Sequence, residues 1–277
     1  MRAIAKDTKS RILKEQFIPD HVFIYIAKGG ISFFDGNKTY ILNAGDGCIA
    51  RKNQLAKFIL LESEDEFEPI IFCFEEAFLR TFQQKHKTQS SSFKTNDAFI
   101  EIRKTDLMDN FILSLKPYYK GIMELDEAFQ DLKYEELLII LLKQDPDLAA
   151  VFFDFGIPEK INLEAFMNKN FKFNVSIKRF AFLTGRSLSS FKRDFKAIFN
   201  DSPSHWLVKR RLQEAYLLIE QKNEKPSDIY LDLGFESISH FSVAFKKCLG
   251  CHHQSLLLKN ESVKSHIPYR QNSLSLS

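Results

Sequence analysis

Two short segments of the chain concentrate side chains able to engage a polyanion. In SIKRFAFLTGRSLSSFKRDFKAIF (176–199), Ser189, Ser190, Lys192, Arg193 and Lys196 fall on one side of a predicted helix, with Phe191, Phe195 and Ile198 on the other. In PSDIYLDLGFESISHFSVAFKKCLG (226–250), Phe241 and Phe245 face inward. Glu236, Ser237, Ile238, Ser239, His240, Ser242, Lys246 and Lys247 face outward. Hydroxyls and cations on one helix face suit phosphate oxygens and the acceptor edge of guanine. Most such faces are simply solvated, so the decision rests on the elements that carry them.

Those elements repeat. Laid on each other, Ala181 matches Tyr230, Gly185 matches Gly234, Phe191 matches Phe241, Phe195 matches Phe245 and Lys196 matches Lys246. Each copy reads as a short helix, a glycine turn and a second helix, the arrangement of a DNA-reading helix-turn-helix. Ser176 caps a helix that turns Ile177, Phe180 and Ala181 inward, and Gly185 supplies a turn where a positive φ is expected. Asp201 or Ser202 caps a longer connecting helix with Pro203 in its first turn. Trp206, Leu207, Leu212, Ala215, Leu218 and Ile219 form its apolar stripe, with Lys209, Arg210 and Arg211 on the opposite side. Ser227 to Leu233 reads as the supporting helix of the second copy. Nucleic acid is therefore the first expectation.

The rest of the chain agrees with that expectation or is silent. With 277 residues there is room for two domains. Residues 160–277 carry net charge +9 and residues 1–159 carry −6, as expected of a nucleic-acid-binding half joined to something else. No apolar run is long enough to span a membrane, and the N-terminal residues lack an apolar signal core. Four cysteines do not make a disulfide scaffold, so the cytoplasm is the expected compartment. Residues 15–80 read as short strands separated by close turns, among them Asp35-Gly36-Asn37 and Asn43-Ala44-Gly45-Asp46-Gly47. This pattern implies an antiparallel sandwich or barrel. The stretch from Phe34 to Ile49 looks like the cupin pattern. His21 is the only histidine before Phe74, so no metal centre of ordinary ligand count is available there, and it is expected at the surface or a strand edge. Ala98 to Ile102 reads as a strand or short helix. Helical spacing follows over 106–115, 124–129 and 133–142, and the block Leu137 to Leu142 fits a core helix or, second, a dimer interface. Phe155-Gly156-Ile157-Pro158 marks a boundary, after which Ile161 to Asn170 reads as a helix with Ile161, Ala165 and Phe166 on one face. Residues 260–277 read as a disordered tail. Cys248-Leu-Gly-Cys251-His252, with His253, fits a haem-attachment or metal pattern, but haem attachment requires export, so no metal or cofactor is expected.

Residues 170–258 resemble the DNA-binding domain of the AraC/XylS family of bacterial transcription regulators. The resemblance is carried by SLSSFKRDFKAIFNDSP, WLVKRRLQEAYLLI and DLGFESISHFSVAFKKCLG. It implies two helices entering adjacent major grooves, with Ser189, Ser190, Lys192 and Arg193 facing the first groove and Ile238, Ser239, His240 and Ser242 the second. Domain order, the Gly-Asp-Gly turn and KYEELLIILL before the link are similar to the subset that activates type III secretion genes. That subset has a cupin-like first domain used for self-association and regulatory contacts. The expected architecture is therefore an N-terminal cupin-like antiparallel β-barrel with helices (1–157), an all-α domain with two helix-turn-helix units (158–259), and the tail. The expected function is sequence-specific binding of double-stranded promoter DNA, with activation through RNA polymerase, a homodimer, and a small-molecule or protein effector on the first domain. An enzyme or ligand store on the barrel, and a protein-interaction module without DNA binding, are the alternatives. The chain departs from the family pattern at Pro226, Tyr230 and Val243, the last standing where arginine is frequent, and at Cys251-His252-His253-Gln254. The first unit is accordingly expected to carry more of the binding, with the second mainly positioning the domain.

Overall fold

The computed structural model describes residues 16–61, 66–88, 95, 97–118 and 125–248. The tail at 260–277 and the Cys251-His252-His253 cluster lie outside them. The chain divides into two compact units, Met1–Asn200 and Asp201–Ser277.

Among the described residues the first unit opens with nine strands: β1 Phe17–Ile18, β2 His21–Lys28, β3 Gly30–Phe34, β4 Thr39–Asn43, β5 Gly47–Ala50, β6 Gln54–Leu55, β7 Lys57–Leu60, β8 Glu68–Phe74 and β9 Phe99–Ile102. All pairings among these strands are antiparallel. They form a four-stranded sheet β8-β2-β5-β9, a three-stranded sheet β4-β3-β7 and the small pair β1-β6. Side-chain alternation sets the faces. In β4, Tyr40 and Leu42 point inward while Thr39, Ile41 and Asn43 point out. The turns follow from local acceptors. The Asp35 carboxylate accepts from the Asn37 and Lys38 amides at 2.8 and 2.7 Å, and the Asp46 carboxylate accepts from the Asn43 amide at 2.8 Å.

Two cores share the four-stranded sheet. On one face Ile24, Ile26, Cys48, Ala50 and Phe99 meet Ile31, Phe33, Tyr40 and Leu42 of the three-stranded sheet. On the other face Phe23, Ile49, Ile70, Phe72 and Phe74 meet the helices α1 Glu76–His86, α2 Asp106–Leu115, α3 Glu127–Gln144 and α4 Leu148–Phe152. Each fully buried phenylalanine contributes roughly 1.5–3 kcal/mol by leaving water. A strand is what forms within 98–102. In α3, Leu137, Leu138, Ile140 and Leu141 are buried in the core, while Phe129, Leu132 and Ile139 remain 40, 63 and 42 % exposed.

His21 is not at the surface. It is 3 % exposed, packs edge-to-face on Phe152 with ring centroids 5.6 Å apart, and its Nδ1 accepts the Lys52 amide at 3.3 Å. Burial, then the nearby charges of Lys52 and Arg51, lower its pKa to about 3, so it stays neutral. A lone polar residue at a strand start gives no sign in the sequence of the apolar α4 that covers it.

Candidate nucleic-acid interface

The first helix-turn-helix lies in the first compact unit. Helix α5, Leu163–Asn170, begins where the Asn162 side chain accepts the Ala165 amide at 2.9 Å. Leu163, Met167 and Asn170 are buried, Phe166 is half-buried edge-on to Phe180, and Ala165 is exposed. Ile161 precedes the helix and is 41 % exposed. Helix α6, Ile177–Leu183, is capped by Ser176, whose Oγ accepts the Arg179 amide at 3.2 Å. It buries Phe180 and Ala181, and Thr184 closes it by donating its buried hydroxyl to the Phe180 and Ala181 carbonyls at 2.9 and 3.0 Å.

Gly185 then turns the chain with φ +64°, and a Cβ there would stand 2.4–2.5 Å from the backbone of Glu159 and Lys160. Arg186 locks the corner. Its guanidinium donates to the Ile161 and Thr184 carbonyls at 3.0 and 2.7 Å and to Asp194 Oδ2 at 3.1 Å. The Arg186 hydrogen bond is the main force holding the Asp194 carboxyl below its ordinary value, with help from Arg193 and Lys160. Asp194 therefore stays ionised and paired with Arg186.

Helix α7, Leu188–Phe199, starts at Ser187, whose Oγ accepts the Ser190 amide at 3.2 Å. Phe191 and Phe195 are buried. Ile198, expected beside them, is 45 % exposed, because Phe199 takes the inner position at the helix end and packs on Phe195 at 4.4 Å. Ser189, Lys192, Arg193 and Lys196 are exposed and Ser190 is half-buried on the same outer face. The Arg193 side chain is 77 % exposed, with only long contacts to Ser190 Oγ (3.4 Å) and Asp194 (3.3 Å). Such contacts leave the guanidinium available for bidentate recognition. Lys196 Nζ donates to the Asn200 carbonyl at 3.1 Å.

This unit also joins the β domain. Phe173, fully buried, stacks on Phe34 at 6.3 Å, and Lys57 Nζ lies 5.8 Å from its ring. The Arg179 guanidinium lies 3.7 Å over Phe17, and Gln16 Oε1 accepts the Asn174 amide at 2.6 Å.

The second helix-turn-helix lies in the second compact unit. Ser202, with Pro203 beside it, caps α8, Pro203–Lys222. Arg211 is not on an outer basic side. It is 8 % exposed and donates to the Gly234 carbonyl at 2.8 Å, tying α8 to the second turn. Burial lowers its pKa to about 10 against the opposing pull of Glu236. One position in a run of three cations gave no sign of this role. The supporting helix α9 is only Pro226–Ile229, and residues 230–234 form turns rather than continuing to Leu233 as helix. Gly234 has φ +84°. Helix α10, residues 238–248, begins where Ser237 Oγ accepts the His240 amide at 3.2 Å. Phe241 is buried with Leu212, Ala215, Ile229, Leu233 and Phe235, and Phe245 and Cys248 are partly buried against them. Ile238, Ser239, His240 and Lys246 are exposed and Ser242 is half-buried. Val243, left out of the expected groove face, is 70 % exposed. Among the described residues no helix is long and apolar enough to cross a membrane.

The two helix pairs, with polar faces outward, define a helix-turn-helix DNA-binding transcription regulator with a β-rich first domain. Residues 180–254 match the family described as helix-turn-helix domain, and residues 21–151 match the family described as ExsA N-terminal regulatory domain. The two matches together give the chain an ExsA-type N-terminal regulatory domain followed by a helix-turn-helix domain, the order expected from the resemblance to the AraC/XylS regulators. It is 24 % identical over 240 residues to the virulence regulon transcriptional activator VirF of Yersinia enterocolitica, covering 84 % of this chain and 86 % of the relative. The regulator ExsA of Pseudomonas aeruginosa is 23 % identical over 232 residues, covering 82 % of each chain. A crystal structure of apo ToxT from Vibrio cholerae superposes with a TM-score of 0.41 at 14 % identity, over 84 % of this chain and 86 % of that one.

Proposed function

We propose that this regulator activates transcription by binding promoter DNA as a homodimer and presenting a surface to RNA polymerase. The observation that carries the reading is the duplicated turn, with glycines at φ +64° and +84° each leading into a serine-capped helix that exposes serine hydroxyls and lysines. In this reading Ser189, Ser190, Lys192, Arg193 and Lys196 meet one major groove and its phosphates, and Ile238, Ser239, His240, Ser242 and Lys246 meet a second. Phosphate contacts supply salt-dependent affinity and the groove-facing side chains supply sequence choice. The functional boundary is placed at 157/158, and the protein acts in the cytoplasm beside the chromosome. Its targets are secretion or virulence genes, in line with its relatives.

Self-association is assigned to α3, where Phe129, Leu132 and Ile139 line one exposed stripe at near-heptad spacing. The first domain receives the signal. A cleft of about 650 Å³, lined by Arg51, Lys52, Asp154, Ile161, Phe166 and Leu183 among others, adjoins the first helix-turn-helix. It offers a small effector a route to the reading helix, and a protein effector would use the outer surface instead.

Sequencing of chromosomal DNA captured with the protein, together with transcripts from a deletion strain, tests this. The expected result is a small set of enriched promoters whose transcripts fall on deletion. Capture of no enriched promoter, or rising transcripts from those captured, would overturn it.

A further inference from the structure

We propose that Val243 is a specificity-determining residue of the second reading helix, and that it selects thymine through the 5-methyl group. The inference rests on the reading of α10 as a groove helix and deepens it. The inner side of α10 is filled by Phe241, Ala244, Phe245 and Cys248, so Val243 has no place in the core. At 70 % exposure it is among the most exposed large apolar side chains of the described residues. A β-branched residue is also a poorer helix former than lysine or alanine, so the helix gains nothing by carrying it there.

Its neighbours identify the occupant. Ser239, Val243 and Lys246 recur at helical spacing with Ser242 between them, and Ile238, 39 % exposed, sits one turn before Ser242. This face offers hydroxyls, methyl groups and the His240 imidazole over a cationic end made by Lys246 and Lys247, with no arginine. Hydroxyls accept either strand's base edges without strong choice. In the major groove, branched methyl groups are rewarded by one base feature, the thymine 5-methyl. The lysines are complementary to the phosphates that flank such a contact. The first unit presents the opposite chemistry, an exposed Arg193 suited to guanine. The two halves of the recognised site therefore differ in kind, with a guanine-bearing half and a half chosen by thymine methyls.

The test uses the full-length chain and a randomised duplex library. The enriched duplex is resynthesised with each thymine replaced singly by deoxyuridine, which removes only the methyl. Anisotropy titrations at fixed salt then compare the wild-type protein with V243A and V243I. The expected result is that one or two uracil positions weaken wild-type binding about fourfold, the worth of one buried methyl. V243A should bind the unmodified duplex with a similar loss and be indifferent to uracil at those positions, while V243I keeps the sensitivity. An enriched site with no uracil-sensitive position, or with equal sensitivity in V243A, overturns the assignment while leaving DNA reading intact. It would also direct attention to a protein surface as the partner of this face. A library that yields no enriched sequence overturns the groove assignment itself, and the thymine assignment with it.

Discussion

Replacing Gly185 with alanine should damage the first reading unit more than the same change at any open turn. Two costs combine there. The backbone at φ +64° lies in the left-handed region, where an L side chain loses roughly 1–2 kcal/mol. The new Cβ would also stand 2.4 Å from the Glu159 carbonyl carbon, where ordinary contact begins near 3.4 Å. The obstacle is backbone on both sides, so the linker or the turn must move by about 1 Å, an overpacking cost of roughly 1–3 kcal/mol. Gly45 is the internal control. Its φ is +87°, but a Cβ there meets only the end of the Lys104 side chain, at an ordinary contact distance of 3.5 Å. Gly45→Ala should therefore lose only the conformational part, and Gly185→Ala about 2 kcal/mol more, which lowers the melting temperature by roughly a further 5 °C for a unit of this size. Calorimetry of both variants measures the difference. Hydrogen exchange should show the Arg186 amide, which donates to the Ala181 carbonyl at 3.0 Å, losing protection only in Gly185→Ala. Because Ser187 starts the reading helix two residues later, promoter affinity should fall in that variant alone. Equal melting and equal DNA affinity in the two variants would refute the idea that the turn is seated on the linker.

Arg193→Ala should weaken binding to a cognate promoter by roughly 1–3 kcal/mol and relax choice at one base, read by titration against single-base duplex variants. Lys196→Ala should weaken all sequences alike and flatten the salt dependence of the binding constant by about one unit. His21→Asn keeps an acceptor for the Lys52 amide but removes a group that protonates near 6.5 when unfolded and near 3 when folded. A base whose folded pKa is depressed costs stability as pH falls through that window, by about 1.4 kcal/mol per pH unit. Urea titrations from pH 6.5 to 3.5 should therefore show the variant losing less stability than the wild type, and parallel losses would contradict the buried neutral imidazole. Leu132→Asp should shift sedimentation of a dimeric preparation towards monomer, since it charges the most exposed member of the α3 stripe; an unchanged boundary would move the interface elsewhere.

The helix-turn-helix pair was legible because it depends on local signals: glycines at fixed offsets, serine caps and phenylalanines three to four residues apart. The β-rich domain was legible from Asp35-Gly36 and Asn43 to Gly47 for the same reason. What stayed hidden depends on distant neighbours. His21 is buried by a helix 130 residues further along, and Arg211 is drawn inward by a carbonyl at Gly234. The start of α5 was read at Ile161, two residues early, because the capping role of Asn162 shows only in its hydrogen bond to the Ala165 amide. Val243 was visible in the sequence as a departure from the family pattern, but only its exposure turned a missing arginine into a side chain with its own chemistry.

The stacking of Phe173 on Phe34 bears on how the gene can be cut. A fragment starting at residue 158 would keep both reading helices but strip Phe173 of its aromatic and lysine cover, leaving a large apolar ring in water and the Asn174 amide without Gln16. Such a truncation should express poorly and aggregate, whatever its affinity for DNA. Chimaeras that exchange the first domain between relatives should carry positions 16, 17, 34 and 57 together with 173, 174 and 179, because each side of that seam is shaped for the other.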